Sequence, residues 1–271
     1  MADSSNTYQT SLSHSIFEGI ELGKVEAYDA SQLNCWSFRK STDIRDNITL
    51  SLGNLCKGYS FPLCGKNFHN SESAYLVGEF SQNTVQDAAV QQALMNETNA
   101  FIAKKVIKRK NESLVRKDWE GIRLQWMLYV VWQKCIGNAD FRNLLLSLPK
   151  DAVIIEDSTN NYGATSTVWG AKNKELNQAR KARKKELCKQ YADTMKKKDL
   201  DRLVTVECNR INNIGVFTGE NNMGKILKMC QLAIIYKVIP PIDYAFLAEK
   251  KTYLLGELLT FEEDMRKAGV S

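Results

Sequence analysis

The sequence predicts an α+β fold, largely helical with a small β-sheet, in one domain, and three observations carry that expectation. Two stretches repeat one-sided residues at spacings of three and four: Val85, Ala88, Ala89, Gln92 and Met95, then Trp119, Ile122, Trp126, Tyr129 and Val130. Strand-like segments are short: CWSFRKSTD from Cys35 alternates large and polar side chains, and Ala152 to Ile155 is a brief apolar run bounded by Pro149 and by polar residues. A chain of 271 residues that is 44% hydrophobic and 25% charged has ordinary globular composition and enough apolar material for a sizeable core.

In chain order, residues 1–30 are polar and weakly patterned and read as a loose arm, with the domain proper over 31–271. A turn-rich segment leads to SESAYLVGEF, after which helix continues with a break near Asn96 to Asn99. Asp118 stands where it can cap the next helix, and NADFRNLLLSL makes another that runs into Pro149. Lys174 to Lys198 reads as one long charged helix, too polar to be core, and Leu203 to Cys208 as a short strand. The asparagines of the turn Gly219 to Asn222 suit a cap for the helix starting near Met223. Pro240 and Pro241 break that helix, leaving residues 240–268 as a C-terminal helical extension.

Charge is concentrated. Residues 172–202 hold twelve bases against five acids, a surplus larger than the whole chain's +6, inside a basic insertion over 172–213. Two readings stay open: a solvated helix, or a surface that docks the phosphates of a nucleic acid through Lys174 to Lys198, though without the interleaved aromatics of a stacking platform. The seven cysteines include no CxxC pair and read as reduced, buried thiols. With only His14 and His69 to assist them, no metal site and no cofactor are expected. No run approaches the roughly 18 apolar residues of a membrane span, and the first twenty residues lack a secretory pattern. The expectation is therefore a protein inside a cell, in the cytoplasm with the nucleus allowed, and with no membrane partner.

The most informative stretch is Asp151 to Asn173. It begins as a strand, delivers Glu156 and Asp157 to the strand end, passes through a polar loop containing Asn161, and closes on Trp169 and Gly170. An ordinary strand end with a surface loop and a core tryptophan would look the same.

Four blocks then fall in order: SESAYLVGEF, VRKDWEGIRLQWM, FRNLLLSLPKDAVIIEDS with VWG after it, and GENNMGKILKMC. Together they resemble the NADAR family, the YbiA-like N-glycosidases, over roughly Phe38 to Ile235. The resemblance implies a YbiA-like fold and hydrolysis of an N-glycosidic bond between ribose and a base or amine. Its implied substrates are ADP-ribose on guanine in nucleic acid, or the ribosylamino-pyrimidine phosphates of riboflavin biosynthesis. It implies Glu72 and Glu156 as catalytic residues, and Asn54, Arg109, Trp119, Trp169, Gly170, Asn222 and Gly224 as substrate-binding ones. Where the family has an Asp before WG, this chain offers Asn161 or Ser166, and Glu79 stands where a lysine is usual.

The residue types suit the chemistry. Breaking the bond builds positive charge on the ribose, which a carboxylate stabilises, and the leaving base needs a proton from a carboxyl whose surroundings raise its pKa. Each residue also has a plain structural alternative: Glu72 as a helix cap, Trp119 as core, Arg109 as the solvated end of a basic helix, Asn222 as a cap. The missing Asp keeps a second function class open, a non-catalytic module that binds ADP-ribose, nucleotides or nucleic acid.

Overall fold

The computed structural model describes residues 15–163 and 165–269. Its strands are short because their sequences are, two to four residues each, and they join as five separate two-stranded pairs. Strands β1 (Glu26–Asp29), β2 (Cys35–Phe38), β3 (Ile44–Arg45) and β4 (Ile48–Thr49) come first, then the hairpin of β5 (Phe61–Leu63) and β6 (Lys66–Phe68). Helices α1 (Ser71–Glu79), α2 (Val85–Asn96) and α3 (Ala100–Ile102) follow, the last widening into a π turn (Ala103–Lys108). After them come α4 (Trp119–Gly137) and α5 (Ala139–Ser147). Next are β7 (Val153–Glu156), the single turn α6 (Ser166–Trp169), the charged pair α7 (Lys174–Tyr191) and α8 (Lys197–Arg210), β8 (Val216–Gly219) and α9 (Asn222–Tyr236). The chain ends with α10 (Tyr244–Glu249), the hairpin of β9 (Tyr253–Leu254) and β10 (Glu257–Leu258), and α11 (Glu262–Lys267). About half of the chain is helical, so the α+β, largely helical expectation holds.

Several local expectations are corrected. Leu203 to Cys208 is helix, not strand: Leu200, Leu203, Val204, Glu207 and Cys208 recur at helical spacing, while Val204, Val206 and Cys208 alternate, so six residues fit either period. The long charged helix ends at Tyr191 and resumes at Lys197. Residues 240–268 are two short helices separated by a hairpin, because Leu255 and Gly256 take left-handed backbone between β9 and β10. Glu26–Asp29 is a strand paired antiparallel with Val216–Gly219 rather than part of a loose arm, and residues 1–14 lie outside the described residues. Asp118 occupies the N-cap position of α4, yet its carboxylate accepts from Arg116 Nε at 2.7 Å and makes no cap bond. The break at residues 97–99 falls where it was expected. All seven cysteines are free thiols, and four of them are buried.

The chain condenses into two compact units, each assembled from separate segments. One contains Asn54–Leu146 and the chain from Met229 onward. Here α1 lies flat on α4: a Cβ at Gly78 would come within 2.5 Å of Trp126 Nε1, which itself donates to the Ala74 carbonyl at 3.2 Å. That closeness buries every residue of α1, its two glutamates included. The other unit contains Glu21–Gly53 and Ser147–Lys228. In it β2 and β7 run parallel with Phe38 opposite Glu156, and Ile155, Phe217, Leu176, Cys35, Ala30 and Ala171 form a small core. Although α7 is almost wholly charged, it seats Leu176 and Leu187 inward. Among the described residues no helix is long and apolar enough to cross a membrane.

Candidate functional site

In the first unit the site is built on one face of α1. Glu72 and Glu79 are seven residues apart, so they share a face within about 20° and stand roughly 10 Å apart along the helix. They are only 3% and 6% exposed. The cap of α1 is Asn70, whose side chain accepts from Ser73 N at 2.8 Å, so Glu72 is not spent as a cap. Its amide instead donates to the Asn54 carbonyl at 3.3 Å, while Asn54 Nδ2 sits 3.3 Å from Met127 Sδ.

The π turn lays two lysines over this face. Lys104 Nζ is 2.8 Å from Glu72 Oε1, a charge contact without hydrogen-bond alignment, and Lys108 Nζ is 3.7 Å from Glu79 Oε2. Burial pushes the Glu79 carboxyl up to about 7; the Glu72 charge adds to that effect and Lys108 opposes it. Tyr75 lies on the same helix, its ring 5.2 Å from that of Trp119, and burial together with Glu79 and Glu72 raises its phenol well above the usual range. Trp119 is buried, and Arg109 is exposed at the end of the π turn.

Near the start of α1 lies a group that sequence reasoning missed. Lys134 is 1% exposed, its Nζ is 3.4 Å from Ser71 Oγ and 3.7 Å above the Phe141 ring, and no carboxylate lies within ion-pair distance among the described residues. Burial pulls its amine down to about 8, against the opposing pull of Cys56 and Cys135. Its apolar flanks, VVWQKCI, were the available signal, since a lysine is almost never buried without a partner. Glu79 was legible too, as a carboxylate one heptad from Glu72.

Unsatisfied polar atoms mark the same region. Among the described residues seven buried side-chain atoms have no hydrogen-bond partner. Asn70 Nδ2, Glu72 Oε1, Ser73 Oγ and Glu79 Oε2 line α1, Asp87 Oδ2 and Arg123 Nε are in the same unit, and the seventh, Asn209 Nδ2, is in the other. Native proteins leave few such atoms, and each asks for an explanation.

The second unit presents Glu156 differently. Its amide donates to Asn221 Oδ1 at 3.0 Å and its carbonyl accepts from Ala171 N at 2.9 Å, which fixes the half-buried residue at the strand end. Asn221, in left-handed backbone with φ 50°, also donates to the Ile154 carbonyl at 2.8 Å. Asn222 donates to the Val168 carbonyl at 2.8 Å and accepts from Gly23 N at 2.7 Å.

The two predicted glycines are sites of close approach. A Cβ on Gly224 would meet the Ile154 carbonyl oxygen at 2.1 Å, and one on Gly170 would meet Ser158 Oγ at 2.2 Å. Trp169 ends α6 half-buried, and Asn161 is exposed on the loop, its amide donating to the Ser158 carbonyl at 2.9 Å. Asp157, beside Glu156, is 5% exposed and fully engaged: Oδ1 accepts from Thr159 Oγ1 at 2.6 Å, and Oδ2 faces Arg180 Nη1 at 3.4 Å. Asn54, Glu72, Arg109 and Trp119 thus belong to the first unit, and Glu156, Asn161, Trp169, Gly170, Asn222 and Gly224 to the second.

No protein-family model matches the chain, and no curated protein matches it significantly. Among solved structures it is similar to the E. coli protein YbiA, determined by NMR, at 21% identity and a TM-score of 0.40, covering 51% of this chain and 71% of that one. A likeness at that score carries no argument about activity. Function is therefore argued from the side chains.

Proposed function

We propose that the protein hydrolyses an N-glycosidic bond between ribose and a base, with the buried face of α1 as its chemical centre. The observation that carries this reading is the pair Glu72 and Glu79: two sequestered carboxyls, one held against Lys104 and the other pushed up to about 7. A buried carboxyl raised to about 7, on one helix face with a second carboxylate paired to a lysine, is an arrangement that acid catalysis at neutral pH can use. Glu79 donates its proton to the leaving nitrogen. The Glu72 carboxylate stabilises the positive charge that grows at C1′ and takes a proton from the attacking water, whose oxygen bonds to C1′ as the C1′–N bond breaks. Lys108 holds Glu79 close to neutral pH, and Tyr75 and Trp119 wall the face with apolar surface.

ADP-ribose on guanine in nucleic acid is the substrate to try first, ribosylamino-pyrimidine phosphates the second. A second reading places the working carboxylate on Glu156, favoured by the hydrogen bonds that fix that residue on both sides. The test is release of free ADP-ribose, followed by mass, from a guanine-ADP-ribosylated oligonucleotide. Release by the native chain that is abolished in Glu72→Gln and weakened in Glu79→Gln supports the α1 centre, whereas abolition in Glu156→Gln alone moves the chemistry to the strand end. Retained binding without release of either substrate makes the protein a non-catalytic ADP-ribose or nucleotide-binding module.

A further inference from the structure

Helices α7 and α8 sort their charges into two kinds. The two arginines of α7, Arg180 and Arg183, face α8 and are occupied. Arg180 donates to the carbonyls of Cys208 and Ile211 at 3.1 and 3.2 Å and to Asn212 Oδ1 at 3.1 Å. Arg183 bridges Glu186 at 2.9 Å and Glu207 at 2.8 Å, and Glu207 also holds Arg210 at 2.6 Å. With Leu176 and Leu187 buried on the same side, these contacts clamp α7 to α8 and to the β7 end through Asp157. The lysines behave oppositely. Lys174, Lys181, Lys185 and Lys189 are exposed, and none of them has an ion-pair partner among the described residues.

Their spacing aligns them. At 100° per residue the four lie within about 80° of one another, on the side of α7 opposite Leu176, Arg180, Arg183 and Leu187, along roughly 22 Å of helix. Glu175 and Glu186 fall on the flank, so no acid interrupts the row. A rigid helix holding a continuous row of unneutralised ammonium groups matches a polyphosphate backbone. An anionic membrane is less suited, because a helix lying on lipid needs exposed apolar anchors and the leucines of α7 are turned inward. The row also lacks aromatics, so it grips phosphates without reading bases.

We propose that the lysine face of α7 is a sequence-independent docking surface for the phosphodiester backbone of a nucleic acid. It names the macromolecule on which the proposed glycosidase works, and rests on that reading only for its purpose, since the surface acts whether or not a bond is cleaved. The test uses the full chain and a labelled, unmodified DNA duplex of about two helical turns, titrated by fluorescence anisotropy between about 0.05 and 0.2 M salt. The comparison is a variant with Lys174, Lys181, Lys185 and Lys189 all changed to Gln, substitutions at exposed positions that leave the Arg180 and Arg183 clamps intact. Four phosphate contacts predict a slope of log K on log salt shallower by about 3.6 in the variant, with at least a tenfold loss of affinity at the lowest salt. Equal slopes and affinities overturn the proposal, as does binding to phosphatidylserine vesicles without binding to DNA. A native chain that binds the duplex through these lysines yet releases nothing from a modified one leaves this surface standing and removes the glycosidase.

Discussion

The carboxylates of the two units differ in how they are held, and under the proposed function that difference separates chemistry from architecture. Asp157, in the second unit, is buried but completely engaged: Thr159 bonds one oxygen and Arg180 faces the other. Glu72 and Glu79, in the first, are as deeply buried, but Glu79 Oε2 accepts no hydrogen bond and Glu72 Oε1 has a lysine near it without a directed bond. Lys134 stands with them, a cation buried over aromatic rings. A satisfied buried charge stabilises a fold or is neutral to it; an unsatisfied one destabilises it and persists for another reason. Asp157 fits the first description and Lys134 the second; the glutamates stand between, each beside a lysine yet with an oxygen that accepts no directed bond.

The strongest way to break this comparison is Glu72→Gln. We expect turnover to fall by about a thousandfold or more with thermal stability unchanged or slightly raised, measured as kcat alongside Tm. If stability falls and turnover holds, Glu72 is architecture after all. Asp157→Asn is the converse. Breaking its pairing with Arg180 should cost about 3 kcal/mol in denaturant unfolding, because a half-buried guanidinium is left without its partner.

Lys134→Met sharpens the contrast. A methionine fits the lysine stem and removes the buried charge, so unfolding should shift upward by about 1 to 3 kcal/mol. A loss of stability would instead make the ammonium group a contributor to the fold through Ser71 and the aromatic rings.

The remaining effect is on pH dependence. Glu79 ionises near 4.5 when unfolded and near 7 when folded, so the folded state binds the extra proton between those values. Stability should therefore decline as pH rises from about 4.5 to about 7, by up to about 3 kcal/mol, and Glu79→Gln should flatten that slope. As the general acid, Glu79 should also give kcat an alkaline limb above about pH 7, absent in the variant.

Much of this was legible. The period of three and four marked α4 because Trp119, Ile122, Trp126 and Tyr129 face one way, and the apolar run ending in Glu156 marked β7. Glu72 was singled out through its resemblance block, and the uninterrupted burial of α1 explains why no amphipathic period announced that helix as a surface. What stayed hidden depends on partners distant in sequence. Leu203 to Cys208 looked like a strand because Val204, Val206 and Cys208 alternate within it, and only the longer stretch from Leu200 favours the helical period. Lys134 passed unnoticed because nothing local shows that Ser71 and Phe141 will enclose it. Gly224 was expected to touch substrate; its close approach to the Ile154 carbonyl is a contact across 70 residues of sequence.

The π turn at Ala103–Lys108 puts its requirement on two side chains rather than on segment length. A π turn holds one residue more than regular helix would, and such turns recur at functional sites. Regular helix would complete the same turn with one residue fewer, so the extra residue is absorbed in width and the chain after it keeps its heading. What the stretch must supply is the ammonium groups of Lys104 and Lys108 over Glu72 and Glu79. Changes at those two lysines should therefore matter more than the length of chain between them.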